Sequence, residues 1–151
     1  MDFQSITKAI AAQLGTGTLE QDDDGLVQLE YNGGITLTLF SPADSGALYL
    51  AASLLELPTV TSPAFLERLL QMNFLLFDTR GATLSIDEDG RQVHLCLCLP
   101  FALIDETSLS GLIVGFLETA NELKTKLMAG DAEGNAQDVS EVTQTLAMQR
   151  I

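Results

Sequence analysis

The segment from Pro63 to Phe77 constrains the fold of this chain more than any other part of the sequence. Ser62 followed by Pro63 is typical of an N-cap and a first helical residue, so a helix is predicted over 63–77. Most residues between 65 and 77 are apolar, and at about 100° per residue they cover an arc of roughly 200°. A helix that packs on one sheet needs only about half that arc.

The apolar residues of this helix form two adjacent faces. The first face contains Phe65, Leu69, Met72 and Leu76, and the second contains Leu66, Leu70, Phe74 and Phe77. A domain of this size has few elements with which to cover both faces, and a C2 dimer is the commonest source of a second cover. We therefore predict that one face packs on the chain's own sheet and the other on a second subunit. Burial of both faces within one subunit is the alternative.

The rest of the sequence has the periodicities of strands and helices in a definite order. Helices are predicted over 3–14 and 105–127, the second with Asp105 as its N-cap, and strands over 27–31, 35–39, 48–57, 82–87 and 92–99. The helices have apolar residues at three- and four-residue spacing, whereas most of the strands alternate apolar and polar residues. The resulting order, α-β-β-β-α-β-β-α, predicts a single α+β domain with a twisted, mostly antiparallel sheet.

The C-terminal residues have a different composition. The dense apolar pattern stops after 129, and Gly, Ala, Asn, Asp and Gln become frequent from 130 to 151. We therefore predict a domain over residues 1–129 and a flexible tail over 130–151. A short helix that contains Val139, Val142 and Leu146 is the alternative for part of this tail.

The charge of the chain excludes several classes of partner. It has 21 acidic and 7 basic residues, which gives a formal net charge of −14 at pH 7. Such a field repels nucleic acids and anionic membrane surfaces. The apolar runs are too short to span a bilayer, and the N-terminal residues lack the pattern of a signal peptide. We predict no nucleic-acid partner, no membrane insertion and a cytoplasmic location.

Residues that could support catalysis or metal binding are few. His94, Cys96 and Cys98 alternate along one predicted strand, where a zinc ion would lack a fourth ligand, so we interpret them as a buried strand face. The acidic turns near 20–25 and 87–90 lack the bidentate glutamate of a calcium loop. With a single histidine and no phosphate-binding loop, the sequence predicts no enzyme, no metal and no cofactor. An acidic enzyme subunit is the alternative.

Four sequence motifs occur in an order that is typical of one family. They are AAQLG at 11–15, LYLAASLLELP at 48–58, LLQMNF at 69–74 and GATLSIDEDG at 81–90. With their spacing and the acidic composition, they resemble the class I type III secretion chaperones, the Tir chaperone (CesT-like) family, over residues 5–128. The resemblance implies a homodimer in the bacterial cytoplasm.

The resemblance also implies a function and its sites. Such a dimer binds the N-terminal, non-globular segment of a cognate effector, keeps it soluble and secretion-competent, and delivers it to the secretion apparatus, whose ATPase is a further implied partner. The second helix would supply the dimer contacts Leu66, Leu69, Leu70 and Phe74. The effector would bind by added strand pairing and in apolar pockets, with Phe3, Ile6, Ile10, Leu37 and Leu39 as candidate contacts. A non-secretory dimeric adaptor with the same fold is the alternative.

Overall fold

The computed structural model describes residues 2–14 and 19–148 of the chain. The helices are α1 (Phe3–Leu14), α2 (Pro63–Met72) and α3 (Glu106–Met148), and the strands are β1 (Val27–Tyr31), β2 (Ile35–Phe40), β3 (Ala47–Glu56), β4 (Thr83–Ile86) and β5 (Gln92–Pro100). Two short 3-10 turns follow α2 and β5, at Phe74–Leu76 and Phe101–Leu103. This order confirms the predicted α+β class.

The five strands form one sheet in the order β1-β2-β3-β5-β4, and all neighbouring strands are antiparallel. The longest strand, β3, lies at the centre and pairs with β2 on one side and β5 on the other. Its register with β5 shifts between Ser53 and Leu55, which marks a bulge. The two edge strands of the sheet are therefore β1 and β4.

One face of the sheet carries the core. The buried side chains of the strands alternate with half-buried or exposed ones, as in β2, where Ile35, Leu37 and Leu39 are buried. Helices α1, α2 and α3 contribute to the same cluster through residues such as Ile6, Phe65 and Leu123. Within the described part of the chain, no helix is both long and apolar enough to cross a bilayer.

Two of the helix starts are capped as their sequences predict. The Ser62 side chain accepts a hydrogen bond from the backbone N–H of Phe65 at 3.2 Å. At the start of α3, Oδ1 of Asp105 accepts the backbone N–H groups of Thr107 and Ser108 at 3.0 and 2.8 Å. Hydrogen bonds from Thr107 and Ser108, the side-chain bond of Thr107 first, lower the pKa of Asp105 to about 2.

Basic side chains hold helix α3 in place. One of them belongs to α3 and bonds a neighbouring turn, and another belongs to α2 and bonds α3. The Lys124 ammonium donates to the carbonyl oxygens of Gly33 and Gly34 in the β1–β2 turn, at 2.7 and 3.2 Å. The Arg68 guanidinium of α2 donates to the carbonyl of Lys126 at 3.1 Å. The Lys124 bonds thus hold α3 against the β1–β2 turn, and the Arg68 bond holds one side of α2 against α3.

Two helix ends differ from the predictions. The helix predicted over 63–77 ends at Met72, because the chain leaves the helical conformation in the 3-10 turn that follows. Helix α3 continues to Met148 and so crosses the predicted boundary at 129. The flexibility of residues 130–151 stays a prediction.

Candidate functional site

Helix α2 has one apolar face inside the subunit and one outside. Phe65, Leu69 and Met72 are buried, with exposed fractions of 8%, 5% and 8%. On the other face Leu70 is 72% exposed, and Leu66 is 37% exposed. Within α2 the two predicted faces are thus distinct, and the subunit covers only the first; Leu76, assigned to the first face, lies beyond the end of the helix and is 38% exposed.

The exposed apolar surface continues beyond the end of α2. Phe74 is 73% exposed and Phe77 is 80% exposed, and Leu75 between them is 66% exposed. We call the side chains of Leu66, Leu70, Phe74, Leu75 and Phe77 the α2 patch. Surface leucine and phenylalanine residues concentrated in so short a segment are typical of a protein–protein contact.

The backbone of this patch is strained. Leu75 and Leu76 have φ values of 54° and 56°, in the left-handed region where Cβ crowds the following carbonyl oxygen. This conformation costs about 1–2 kcal/mol per residue relative to the right-handed helix. Leu75 is 66% exposed, so the packing of its side chain in the subunit does little to offset this cost.

The segment that joins the patch to β4 carries further unfavourable features. Arg80 also has a positive φ, 51°, and its guanidinium donates to Thr119 at 3.1 Å and forms an ion pair with Glu122 at 2.8 Å. Thr79 is 1% exposed, and its hydroxyl has no hydrogen-bond partner among the described residues. A buried hydroxyl without a partner is uncommon, because it loses water without a replacement.

The predicted dimer contacts divide between surface and core. Leu66, Leu70 and Phe74 lie in the α2 patch, whereas Leu69 is buried within the subunit. Leu69 packs in the same cluster as Phe65 and Met72, so it can support the patch only from beneath. The assignment of these four residues to a dimer interface stays a prediction.

Most of the predicted effector contacts lie in the core. Ile6, Ile10, Leu37 and Leu39 have exposed fractions between 0% and 2%, so their side chains offer no surface to a partner in this conformation. Phe3 is half-buried at the start of α1. Their periodicity in the sequence is the signal of a buried face, and it does not distinguish the core from a binding surface.

The strand face that contains His94, Cys96 and Cys98 is more open than predicted. His94 and Cys96 are half-buried and Cys98 is exposed, because the helices cover the opposite face of the sheet. Burial lowers the pKa of His94 and raises the pKa of Cys96. Among the residues that the structure describes, no three His, Cys, Asp or Glu side chains are grouped as metal ligands.

The two edges of the sheet differ in what covers them. On β4, the side chain of Asn73 forms hydrogen bonds with both outward backbone groups of Leu84. It accepts from the N–H at 2.8 Å and donates to the C=O at 3.1 Å. On β1, the backbone groups of Val27–Tyr31 that face away from β2 have no hydrogen-bond partner among the described residues. An unpaired edge of this kind can accept an added strand.

Comparison with known proteins identifies the class to which this fold belongs. Residues 5–124 match the model of the Tir chaperone protein (CesT) family. No curated protein gives a significant match. Because the family model covers most of the chain, the protein belongs to the Tir chaperone (CesT) family and is a type III secretion chaperone.

Solved structures share the fold. A chain of the ExsC–ExsE complex has a TM-score of 0.71 at 19% identity, and the match covers 84% of this chain and 97% of that one. A chain of the HopA1–SchA chaperone–effector complex has a TM-score of 0.66 at 19% identity, with 82% and 93% covered. A chain of the ExoU–SpcU complex from the type III secretion system of Pseudomonas aeruginosa has a TM-score of 0.60 at 18% identity, with 83% and 94% covered.

Proposed function

We propose that this type III secretion chaperone acts as a homodimer in the bacterial cytoplasm. The dimer binds the N-terminal, non-globular segment of one cognate effector and keeps that segment soluble and secretion-competent. It then passes the effector to the secretion apparatus, where the ATPase of that apparatus is a candidate docking partner. The chaperone itself catalyses no reaction.

The α2 patch is the observation that carries the homodimer. Leu70, Phe74 and Phe77 are each more than 70% exposed, although the same helix buries its other apolar face. A stable interface buries about 1,200–2,000 Å² in total, with large apolar side chains at its centre. A second copy related by a twofold axis would place its own α2 patch against the α2 patch of the first copy.

Three observations support binding of an extended effector segment. The free edge of β1 can pair with a strand of the effector, which is a common mode of peptide recognition. Chains of this fold occur in solved complexes whose names include a chaperone and its effector. The net charge of −14 helps to keep in solution a protein that exposes apolar surface for a partner.

Co-purification from the native host tests the chaperone function. The tagged chain is isolated, bound proteins are identified by mass spectrometry, and the mass of the complex is measured by light scattering. We expect two copies of the chain with one large protein, and protection of its N-terminal segment from limited proteolysis. A client bound through a folded domain would instead indicate a non-secretory adaptor, and a monomeric chain would contradict the homodimer.

Hydrogen exchange on the same complex tests the position of the added strand. Amides of β1 that face away from β2 have no partner among the residues that the structure describes, and we expect them to become protected when the effector binds. The β4 edge is the internal control, because Asn73 already occupies the outward groups of Leu84. Protection that appears on β4 and not on β1 would contradict this placement.

A further inference from the structure

The end of α2 combines a helical sequence with a non-helical conformation. Between Pro63 and Arg80 the sequence contains no glycine or further proline, and its apolar spacing continues through Phe77. Asn73 has the helical dihedrals −79° and −8°, and the helix is interrupted only by the positive φ values of Leu75 and Leu76. The interruption is therefore not imposed by a helix-breaking residue.

A longer helix would place four of the five side chains of the α2 patch on one stripe. At about 100° per residue, Phe74 and Phe77 would fall within roughly 80° of Leu66 and Leu70. Leu76 would then lie above Phe65 and Met72, on the buried face, and lose much of its exposure. The longer helix thus brings four patch residues, Leu66, Leu70, Phe74 and Phe77, onto a single continuous face, and places Leu75 on the side of Gln71 and Arg68.

The segment after the patch also fits a longer helix. The hydroxyl of Thr79, which is buried without a partner among the described residues, can donate to a carbonyl one turn earlier when threonine is helical. Gly81 has a φ of 90°, but Arg80 before it has a φ of 51°, so the extension ends before these two residues.

We propose that residues 74–77 are a conformational switch coupled to dimerisation. In the free subunit these residues form the strained turn, and in the dimer they continue α2 by about one turn, so that its apolar stripe meets the partner. Covering that stripe stabilises the longer helix, and the left-handed leucines are released. The proposal rests on the homodimer proposed above and assigns to it a change in the structure of each subunit.

A matched pair of substitutions at Leu75 separates the two conformations. Leu75→Ala and Leu75→Gly both remove the same exposed side chain, so any contact of Leu75 with a partner is lost equally. Alanine favours the helix and is disfavoured at positive φ, whereas glycine has the opposite preferences. Both preferences favour the helical conformation more in the alanine variant than in the glycine variant. We therefore expect the dissociation constant of the Leu75→Gly dimer to be at least about tenfold higher than that of the Leu75→Ala dimer.

Sedimentation equilibrium of the full chain gives the dissociation constants. If residue 75 keeps its left-handed conformation in the dimer, glycine relieves the strain equally in both states, and the two variants would dissociate alike. Equal dissociation constants would therefore overturn the switch and leave the homodimer intact. A wild-type chain that remains monomeric at every concentration would overturn both proposals.

Backbone chemical shifts provide a second readout that does not depend on affinity. We expect the Cα shifts of residues 74–77 to be helical in the concentrated wild-type dimer and non-helical in the dilute monomer. Shifts that stay non-helical in a chain shown to be dimeric would overturn the switch. The shifts of Leu66 and Leu70, which are helical already, serve as the reference within the same molecule.

Discussion

Asn73 pairs its side-chain amide with both backbone polar groups of Leu84. Nδ2 donates to the Leu84 carbonyl at 3.1 Å, and Oδ1 accepts the Leu84 N–H at 2.8 Å. The amide thus stands in for a neighbouring strand at the edge of the sheet. One residue thereby sets the position of the end of α2 against β4 and covers part of that edge.

Replacement of Asn73 by alanine should lower the stability of the subunit. The change removes two hydrogen bonds and leaves the partly buried groups of Leu84 without their partner, at a cost of about 1–3 kcal/mol. Urea unfolding measures the difference. Gln71→Ala, at an exposed position in the last turn of α2, is the control and should change the stability by less than about 0.5 kcal/mol. Equal effects of the two variants would contradict the role given to Asn73.

Charged substitutions in the α2 patch should abolish the dimer and preserve the fold. Leu70→Glu and Phe74→Glu place a carboxylate where two apolar surfaces would meet, and its burial without a partner is unfavourable. Sedimentation velocity should show a monomer, while circular dichroism remains that of the wild type. Val114→Glu, at a 45% exposed site on α3, is the matched control. A Leu70→Glu chain that stays dimeric would place the interface elsewhere.

Truncation of Leu39 should destabilise the subunit and not act as a binding mutation. The side chain is 0% exposed, so Leu39→Ala leaves a cavity and costs about 2–5 kcal/mol. Leu103→Ala, at a 74% exposed site, should cost less than about 0.5 kcal/mol. Chemical denaturation gives both values. If Leu39→Ala weakens effector binding at unchanged stability, the residue would contact the effector after all.

The Asp105 cap of α3 should make the stability of the folded chain depend on pH in the acidic range. Hydrogen bonds from Thr107 and Ser108 lower the pKa of Asp105 from 3.8 to about 2, so its ionised form is the one that stabilises the folded chain. This stabilisation is complete above about pH 4 and is lost as the pH falls towards 2. The stability difference between wild type and Asp105→Asn should therefore be constant at neutral pH and change between about pH 4 and 2. Urea titrations at several pH values measure it, and a difference independent of pH would contradict the assignment.

Local patterns allowed most of the elements to be predicted. The N-caps at Ser62 and Asp105 are defined by side chains that bond the next few residues, so neighbouring sequence suffices to locate them. The apolar alternation in β1 and β2 likewise gives strands whose register is fixed by a short turn. The end of α2 could not be found in this way, because no glycine or further proline marks it in the sequence, and only the positive φ values of Leu75 and Leu76 interrupt the helix.

The sequence by itself determined that helix α2 has two apolar faces, since side-chain spacing fixes direction around a helix. Only the tertiary structure decided which face the subunit covers. Leu69 and Leu70 are adjacent and chemically identical, yet one is 5% exposed and the other 72% exposed. The difference arises because the sheet and the other helices close over the first side and leave the second open. Periodicity specifies where a side chain points, and burial depends on what the rest of the chain brings there.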